Sequence, residues 1–490
     1  MESSGSGKRI FLPDRDVQQK LMRLRFFFAL ALSAASASAQ QVLHTLAFAP
    51  GKSITLSLPA KFDIAIAATG IKRARFFAQS PDGRIFVTSM YNLDDNTRGA
   101  LYILDGWNPR TRTFSHVIPY LQRLRNPNNV AFYTDETHQT WLYLPLTDRL
   151  VRYKYNAGDN APSGPAQVLL RFPDYGLNYK YGGWHLTRTV AVAVLHGRTR
   201  VYVTTGSSCN YCLEREAVRA SLIVMDPDGS HQQLVAHGLR NAVDLRYVPN
   251  LDGGALFATN MGDDHLGDQV PEDTFFELDS NTYPGPIAAV GAPNYGWPTC
   301  YFAHGKPVHD GTALPENPGP DNPANALKPV GTQAGQKSES DSVYGKQHGV
   351  ADAGTSLAAQ VHSSGNQANF GAVPAPLGNC RDVPAAYTTF TAHSSPLGLA
   401  YFGSDNIALG NSFLVALHGA GHPRIGTGYR VVHFSPESRK PEDFITGFLG
   451  TTAGHAVVHG RPCGLLRVGP DTFLLSDDSL GLVYFIFPKR

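Results

Sequence analysis

The stretch TNMGDDHLGDQVPED, Thr259 to Asp273, places five carboxylates and one histidine in fifteen positions, directly after the apolar run ALFA. An oxygen-rich loop of this kind suits a hard divalent cation, with carboxylates and main-chain carbonyls both eligible as ligands. The EF-hand spacing is absent: there is no D-x-D-x-D-G with a terminal Glu. Asp264, Asp268 and Asp273 are therefore weighed as direct ligands against a role in holding the loop through hydrogen bonds. A second set of residues is cationic. YGGWHLTRT holds His185 and Arg188, and GLRNAVDL holds Arg240 and Asn241. LHGAGHPRIGTGYRVV and HGRPCG add His418, Arg424 and Arg461. Histidine, with an ordinary pKa near 6.5, suits a general base at neutral pH. Arginine forks bind carboxylates in bidentate fashion. Arginines gathered without a matching acid point to a small polyanionic ligand; the alternative is ordinary salt bridging between elements. Trp184 and Trp297, the latter in NYGWP, are suited to stack on a sugar ring or to pack between sheets.

Such residues need a frame that brings distant segments together. Charged residues make up 17% of the 490, below the roughly 25% of an average soluble chain. The 48 glycines and 34 prolines sum to 82, about one residue in six, where about 12% is usual. That excess predicts many turns between short strands. A unit recurs: an apolar cluster, a turn rich in Pro, Asp, Gly or Asn, then a run of Val, Leu, Phe and Tyr. Its copies start at Arg73, Arg125, Thr187, Leu239, Ser395 and Gly460. Six copies predict an all-β fold, a six-bladed β-propeller. The extra strand KFDIAIAA, Lys61–Ala68, is expected to pair into the last blade and close the ring. Residues 305–384 are rich in Gly, Pro, Ser, Ala and Gln, and predict a long irregular insertion between blades four and five.

The segment MRLRFFFALALSAASASAQ, from Met22, has the charged, apolar, small-residue order of a secretory signal, expected to end at Ala39. Residues 40–490 are then the propeller, with a periplasmic or secreted location and no membrane span after signal removal. In an oxidising compartment Cys209 and Cys212 are expected to form a local disulfide, and Cys300 and Cys380 bracket the insertion and can close it. Cys463 is left unpaired. A formal charge of +2 and the lack of a basic run with interleaved aromatics argue against a nucleic-acid partner.

The motifs, taken in order, resemble the glucose/sorbosone dehydrogenase family of soluble pyrroloquinoline quinone (PQQ)-dependent sugar dehydrogenases. They are GGWHLTRTV, VYVTTGSSCNYC, GLRN, NMGDDHLGDQVPED, NYGWP, HSSPLGL and GRP, and the resemblance runs from about Leu58 to Phe487 without the insertion. It implies a six-bladed propeller, a Ca²⁺ ion clamping PQQ at the channel mouth, and oxidation of an aldose, sugar aldehyde or polyol by hydride transfer to the quinone. It implies His185 as the base and Arg240 as the group that stabilises developing negative charge. Arg240, Asn241 and Arg461 match cofactor contacts, with His418 and Arg424 as further candidates. The main-chain carbonyls of Gly262 and Asp263 match the calcium ligands, with Gly262 permitting an unusual turn. Electrons must leave to an external acceptor, because Cys212 is followed by Leu213 and no haem-attachment motif is present. Two positions depart from the family: Ser207 replaces an acid near the base, and His418 replaces a lysine. The competing readings are a lactonase-type hydrolase on the same architecture and a non-catalytic propeller that binds glycans or proteins.

Overall fold

The computed structural model describes Met1 and residues 40–91, 95–173, 185–195, 197–249, 251, 253–278, 291–317 and 370–489. The signal segment 22–39, Trp184 and the middle of the insertion lie outside the described residues. Regular structure is almost entirely β-strand, arranged as six four-stranded and three two-stranded sheets among the described residues. The six large antiparallel sheets are the blades of a β-propeller. In chain order their innermost strands are Ala74–Gln79, Ala131–Thr134, Arg188–Leu195, Ala242–Val248, Pro396–Phe402 and Pro462–Gly469. Each begins at or just after one of the six sequence repeats.

The strand sequences explain the ring. A blade is covered by a neighbour on each face, so its middle strands need apolar residues on both sides. Ile85–Ser89, Ser221–Met225 and Ala255–Asn260 are accordingly buried along their whole length. The buried side chains fall into clusters that match the blade interfaces. Phe86 and Leu101 meet Leu142 and Leu144 between blades one and two. Trp141 and Tyr143 meet Val190 and Val201 between two and three. Tyr202 meets Leu245, Phe257 meets Phe413, Phe402 meets Phe473, and Leu474 meets Phe77 around the rest of the circle. A fully buried Phe or Leu contributes on the order of 2–3 kcal/mol, so removing one blade strips both neighbours. On the axis itself sits a small plug of Phe76, Val243, Leu397 and Cys463.

Ring closure follows the sequence expectation: Phe62–Ala68 pairs antiparallel with Leu482–Pro488, as the outer strand of blade six. The position of the insertion needs correcting. It leaves blade four after that blade's third strand, Asp273–Leu278, and returns to supply the fourth, Thr388–Phe390. The insertion therefore lies within blade four rather than after it. A three-residue TTF strand is too short to carry a sequence signal of its own. At its base the insertion is tied by the Cys300–Cys380 disulfide. Cys209–Cys212 is also bonded, and Cys463 is free and buried.

Candidate functional site

In an antiparallel blade, the residues before the first strand and those after the second lie at the same end of the sheet. His185, Arg240 and Arg461 occupy the first position in blades three, four and six, and Ser207, Gly262 and His418 occupy the second in blades three, four and five. All six thus face one mouth of the propeller, which is why residues far apart in sequence meet.

Hydrogen bonds connect them in a near-continuous circuit. His185 Nδ1 lies 2.8 Å from Ser207 Oγ and 3.1 Å from Ser207 O. The Ser207 amide donates to Arg240 O at 2.7 Å. The buried Arg240 guanidinium donates to Asn210 O (2.9 Å), Asn210 Oδ1 (2.5 Å) and Gly262 O (2.5 Å). The Gly262 amide donates to Asp273 Oδ1, and the other carboxylate oxygen of Asp273 accepts from the Ser395 amide of blade five. Ser395 O accepts the His418 amide at 3.0 Å. His418 Nδ1 accepts from Arg461 Nη1 at 3.3 Å, and its Nε2 lies 2.9 Å from Asp478. Asp478 is paired with Arg73 and Arg75 of blade one. Arg75 donates to Asn128 Oδ1, and Asn128 Nδ2 donates to Thr189 Oγ1 and Val243 O, back in blades three and four.

The electrostatics follow from this burial. The His185 pKa is held well below 6.5, first by desolvation and then by the Arg240 charge, with the Ser207 carbonyl opposing. This departs from the ordinary value that sequence alone suggests. The ring is therefore neutral at neutral pH. Burial also lowers His418 against the pull of Asp478. Since Arg461 donates to its Nδ1, its proton sits on Nε2 and faces Asp478. His418 is thus a neutral support for Arg461 and does not replace a lysine as a cation. Both of its ring nitrogens are engaged within the protein.

Arg461 donates to Gly419 O, Ala420 O and Tyr429 Oη at 3.0–3.2 Å. Among the described residues no carboxylate pairs with it, which suits an anionic ligand. Asn241 is fixed by Thr187 Oγ1 on its Oδ1 and by the Met261 sulfur. Arg424 does not join the group: its side chain is 73% exposed and pairs with Asp268 at 3.3 Å. Trp297 is buried, donates from Nε1 to Asn210 O, and is a packing residue.

The acidic stretch is resolved into anchors. Asp273 is buried and pushed up to about 7 by desolvation, against its two amide donors. Asp264 pairs with His393 at 3.1 Å and lies 3.6 Å from Arg240. That carboxylate raises His393 to about 9 through their hydrogen bond, despite burial. Asp263 lies 2.7 Å from His265 Nδ1, and His265 Nε2 lies 2.8 Å from Asp310 of the insertion arm. Asp264, Asp268 and Asp273 all take part in hydrogen bonds or ion pairs around the loop. Gly262 does not take the left-handed conformation expected of an unusual turn. It is small because a Cβ there would stand 2.7 Å from Pro271 Cγ; Gly267, with φ +100°, makes the turn.

Gly262 O accepts the Arg240 guanidinium, and no group of three His, Cys, Asp or Glu side chains suited to a metal occurs among the described residues. Arg240 is buried with its donors on Asn210 and Gly262, and Arg461 is the half-buried cation at the same mouth. Sequence reading passed over Asn210 and Asp478. Asn210 sits inside the Cys209–Cys212 loop, and Asp478 directly follows a second strand, the position shared by Ser207, Gly262 and His418.

No protein-family model matches the sequence, and no curated protein matches it. In three dimensions the chain is similar to the PQQ domain of pyranose dehydrogenase from Coprinopsis cinerea in its holo form. The TM-score is 0.58 at 16% identity, over 89% of this chain and 97% of that one. It is also similar to a Trichoderma reesei carbohydrate-active enzyme of family AA12, with TM-score 0.56 at 15% identity over 88% and 97%. A calcium structure of the T. reesei AA12 protein gives 0.52 at 15% identity over 88% and 96%. At these identities the likeness establishes a shared six-bladed propeller.

Proposed function

We propose that the protein is an exported, PQQ-dependent dehydrogenase that oxidises an aldose, sugar aldehyde or related polyol, with Ca²⁺ entering together with the cofactor. The observation that carries this reading is that one propeller mouth gathers His185, bonded to Ser207, with the buried Arg240 whose carbonyl the Ser207 amide meets and with Arg461. The fold shared with a PQQ domain and with carbohydrate-active enzymes supports it. The two disulfides fit an oxidising compartment.

The cofactor supplies a two-electron hydride acceptor, with calcium as a Lewis acid at its carbonyl. The chain does the rest. His185 takes the proton of the substrate hydroxyl at Nε2. Arg240 stabilises the negative charge that builds as this proton leaves. Arg461, steadied by His418, would hold a carboxylate of the cofactor, with Asn241 as a further contact. The main-chain carbonyls of Gly262 and Asp263 would be the chain's candidate ligands for the ion. An external acceptor removes the electrons.

Reconstitution tests the assignment. Protein loaded with PQQ and Ca²⁺ should reduce a dye in the presence of members of an aldose, aldehyde and polyol panel. His185→Ala should keep cofactor uptake and lose about 10²–10⁴-fold in turnover. Uptake without turnover on any substrate would move the chain to the non-catalytic reading. Failure to take up the quinone at all would sink the dehydrogenase assignment.

A further inference from the structure

We propose that a cleft between blades six and one, at the end of the propeller away from the mouth, binds a sugar ring that carries a carboxylate, as in a uronate unit of an acidic glycan. The proposal does not depend on the dehydrogenase reading.

Topology puts the cleft at that end. In each blade the turn between the first two strands and the turn between the last two lie opposite the mouth. Thr472 borders the first kind of turn in blade six, and Asn108–Thr113 is the second kind in blade one. Phe485, Phe487 and Lys489 run to the same end on the third strand of blade six and just past it, with Asp63 opposite Phe487 on the fourth. The strands Gly99–Asn108 and Thr113–Leu124 of blade one are the longest described in the ring, at 10 and 12 residues. Their shared turn therefore reaches blade six. The Trp107 ring comes to 4.7 Å from Phe485, and the Arg112 guanidinium lies 3.8 Å over Phe487. The two blades do not close fully here. A cleft of about 590 Å³ remains, within the usual size of a small-ligand site.

Its walls carry three kinds of group. Trp107 offers an apolar face and is 37% exposed, whereas Trp141 and Trp297 are buried. Arg112 and Lys489 are cations with no carboxylate partner among the described residues. Stacking occupies the face of the guanidinium and leaves its in-plane N–H donors for a ligand. Asp63 uses one carboxylate oxygen on the Ile64 amide and on His44. Its other oxygen has no partner among the described residues and can accept from a hydroxyl.

These groups select among ligand classes. An aromatic acid answers the indole and the cations but brings no hydroxyl for Asp63. A neutral sugar leaves Arg112 and Lys489 without an anion. A polyhydroxylated ring bearing a carboxylate meets all three. Its C–H face stacks on Trp107, its carboxylate takes the Arg112 fork, and a hydroxyl reaches Asp63.

The test uses the full chain without cofactor, so turnover plays no part in the result. Trigalacturonate should change the tryptophan emission saturably, and calorimetry should return the same Kd. Added NaCl should weaken the binding, since the cations are open to solvent. Maltotriose, a neutral counterpart, and phenylacetate, an aromatic acid, should each bind at least about 10-fold more weakly. By calorimetry, Arg112→Gln should weaken trigalacturonate binding roughly 10- to 100-fold, the range of a lost charge-assisted pair. Trp107→Leu, which keeps an apolar contact with Phe485, should weaken it as well, while His185→Ala binds as wild type. A wild-type chain with no saturable uptake of trigalacturonate overturns the proposal, with no variant needed. Maltotriose or phenylacetate binding as tightly as trigalacturonate overturns the ligand class. Affinity lost in His185→Ala and kept in Arg112→Gln places the sugar at the mouth and overturns the site.

Discussion

In the proposed reaction His185 would act as a base only while neutral, and nearly everything around it favours that state. Desolvation, Arg240, Arg188 and Arg219 lower its pKa, and only the Ser207 carbonyl pulls the other way. The sign follows directly. With the folded pKa below 6.5, protonation silences the base only at pH values lower than those that would silence a free imidazole. The kcat/KM of the loaded enzyme is expected to stay level as pH falls through 6.5 and to drop below it. A limb at or above 6.5, read from initial rates across a buffer series, would contradict that environment. Gly206 gives a second check. A methyl group there meets His185 Cβ at 2.5 Å and Asn241 Oδ1 at 2.9 Å. Displacing the reacting group by even 1 Å costs about 10²-fold in rate. Gly206→Ala should therefore lose about that much activity while its circular dichroism stays unchanged.

Among the blades, a hydroxyl near the end of the second strand repeatedly bonds to a carbonyl next door. Thr88 donates to Asn128 O, Thr204 to Ala242 O, Thr259 to Leu397 O and Ser476 to Arg75 O. These bonds, all buried, set the angle at which one blade hands over to the next. The signal was present in the sequence as FVTS, YVTT, FATN and LLSD at matching points of the repeats. Asn128 ties the inner strands more tightly, accepting from Arg75 and donating to blades three and four. Truncating it takes the acceptor from Nε and Nη2 of the buried Arg75 and leaves that guanidinium only its 3.6 Å approach to Asp478. Asn128→Ala should cost about 3 kcal/mol, seen as a lower urea midpoint with an unchanged m value. An effect under about 1 kcal/mol would mean the network relaxes without loss.

At the level of the whole molecule, stability is a property of the closed ring. Phe62–Ala68 completes blade six, whose other three strands lie between Pro462 and Pro488, so an early and a late segment of the chain lock each other. The insertion is held at its base by Cys300–Cys380, which closes a sequence separation of 80. Cross-linking so long a loop restricts the unfolded chain and contributes about 2–4 kcal/mol. Cys380→Ser should lower the denaturation midpoint accordingly. If reductant shifts the wild type by no more than it shifts Cys380→Ser, this bond contributes nothing. The arm leaving that bond also reaches the mouth, where Asp310 holds His265 beside the Gly262–Asp268 loop. The insertion is in this way part of the site's support.

The repeats and the Cys209–Cys212 pair could be read in the sequence because each is written locally, and the Cys300–Cys380 pair because it brackets the insertion. A short apolar run and a turn residue specify a buried strand whatever the rest of the chain does. The clustering of His185, Arg240, Gly262, His418 and Arg461 could also be anticipated, since equivalent points of repeated units face the same way. What the residues do when they arrive was not legible. Arg424 is drawn off by Asp268, Asp273 spends both oxygens on amides of two blades, and Gly262 O is taken by Arg240. Desolvation and through-space charge are set by neighbours from other blades, and only the closed ring brings those neighbours within reach.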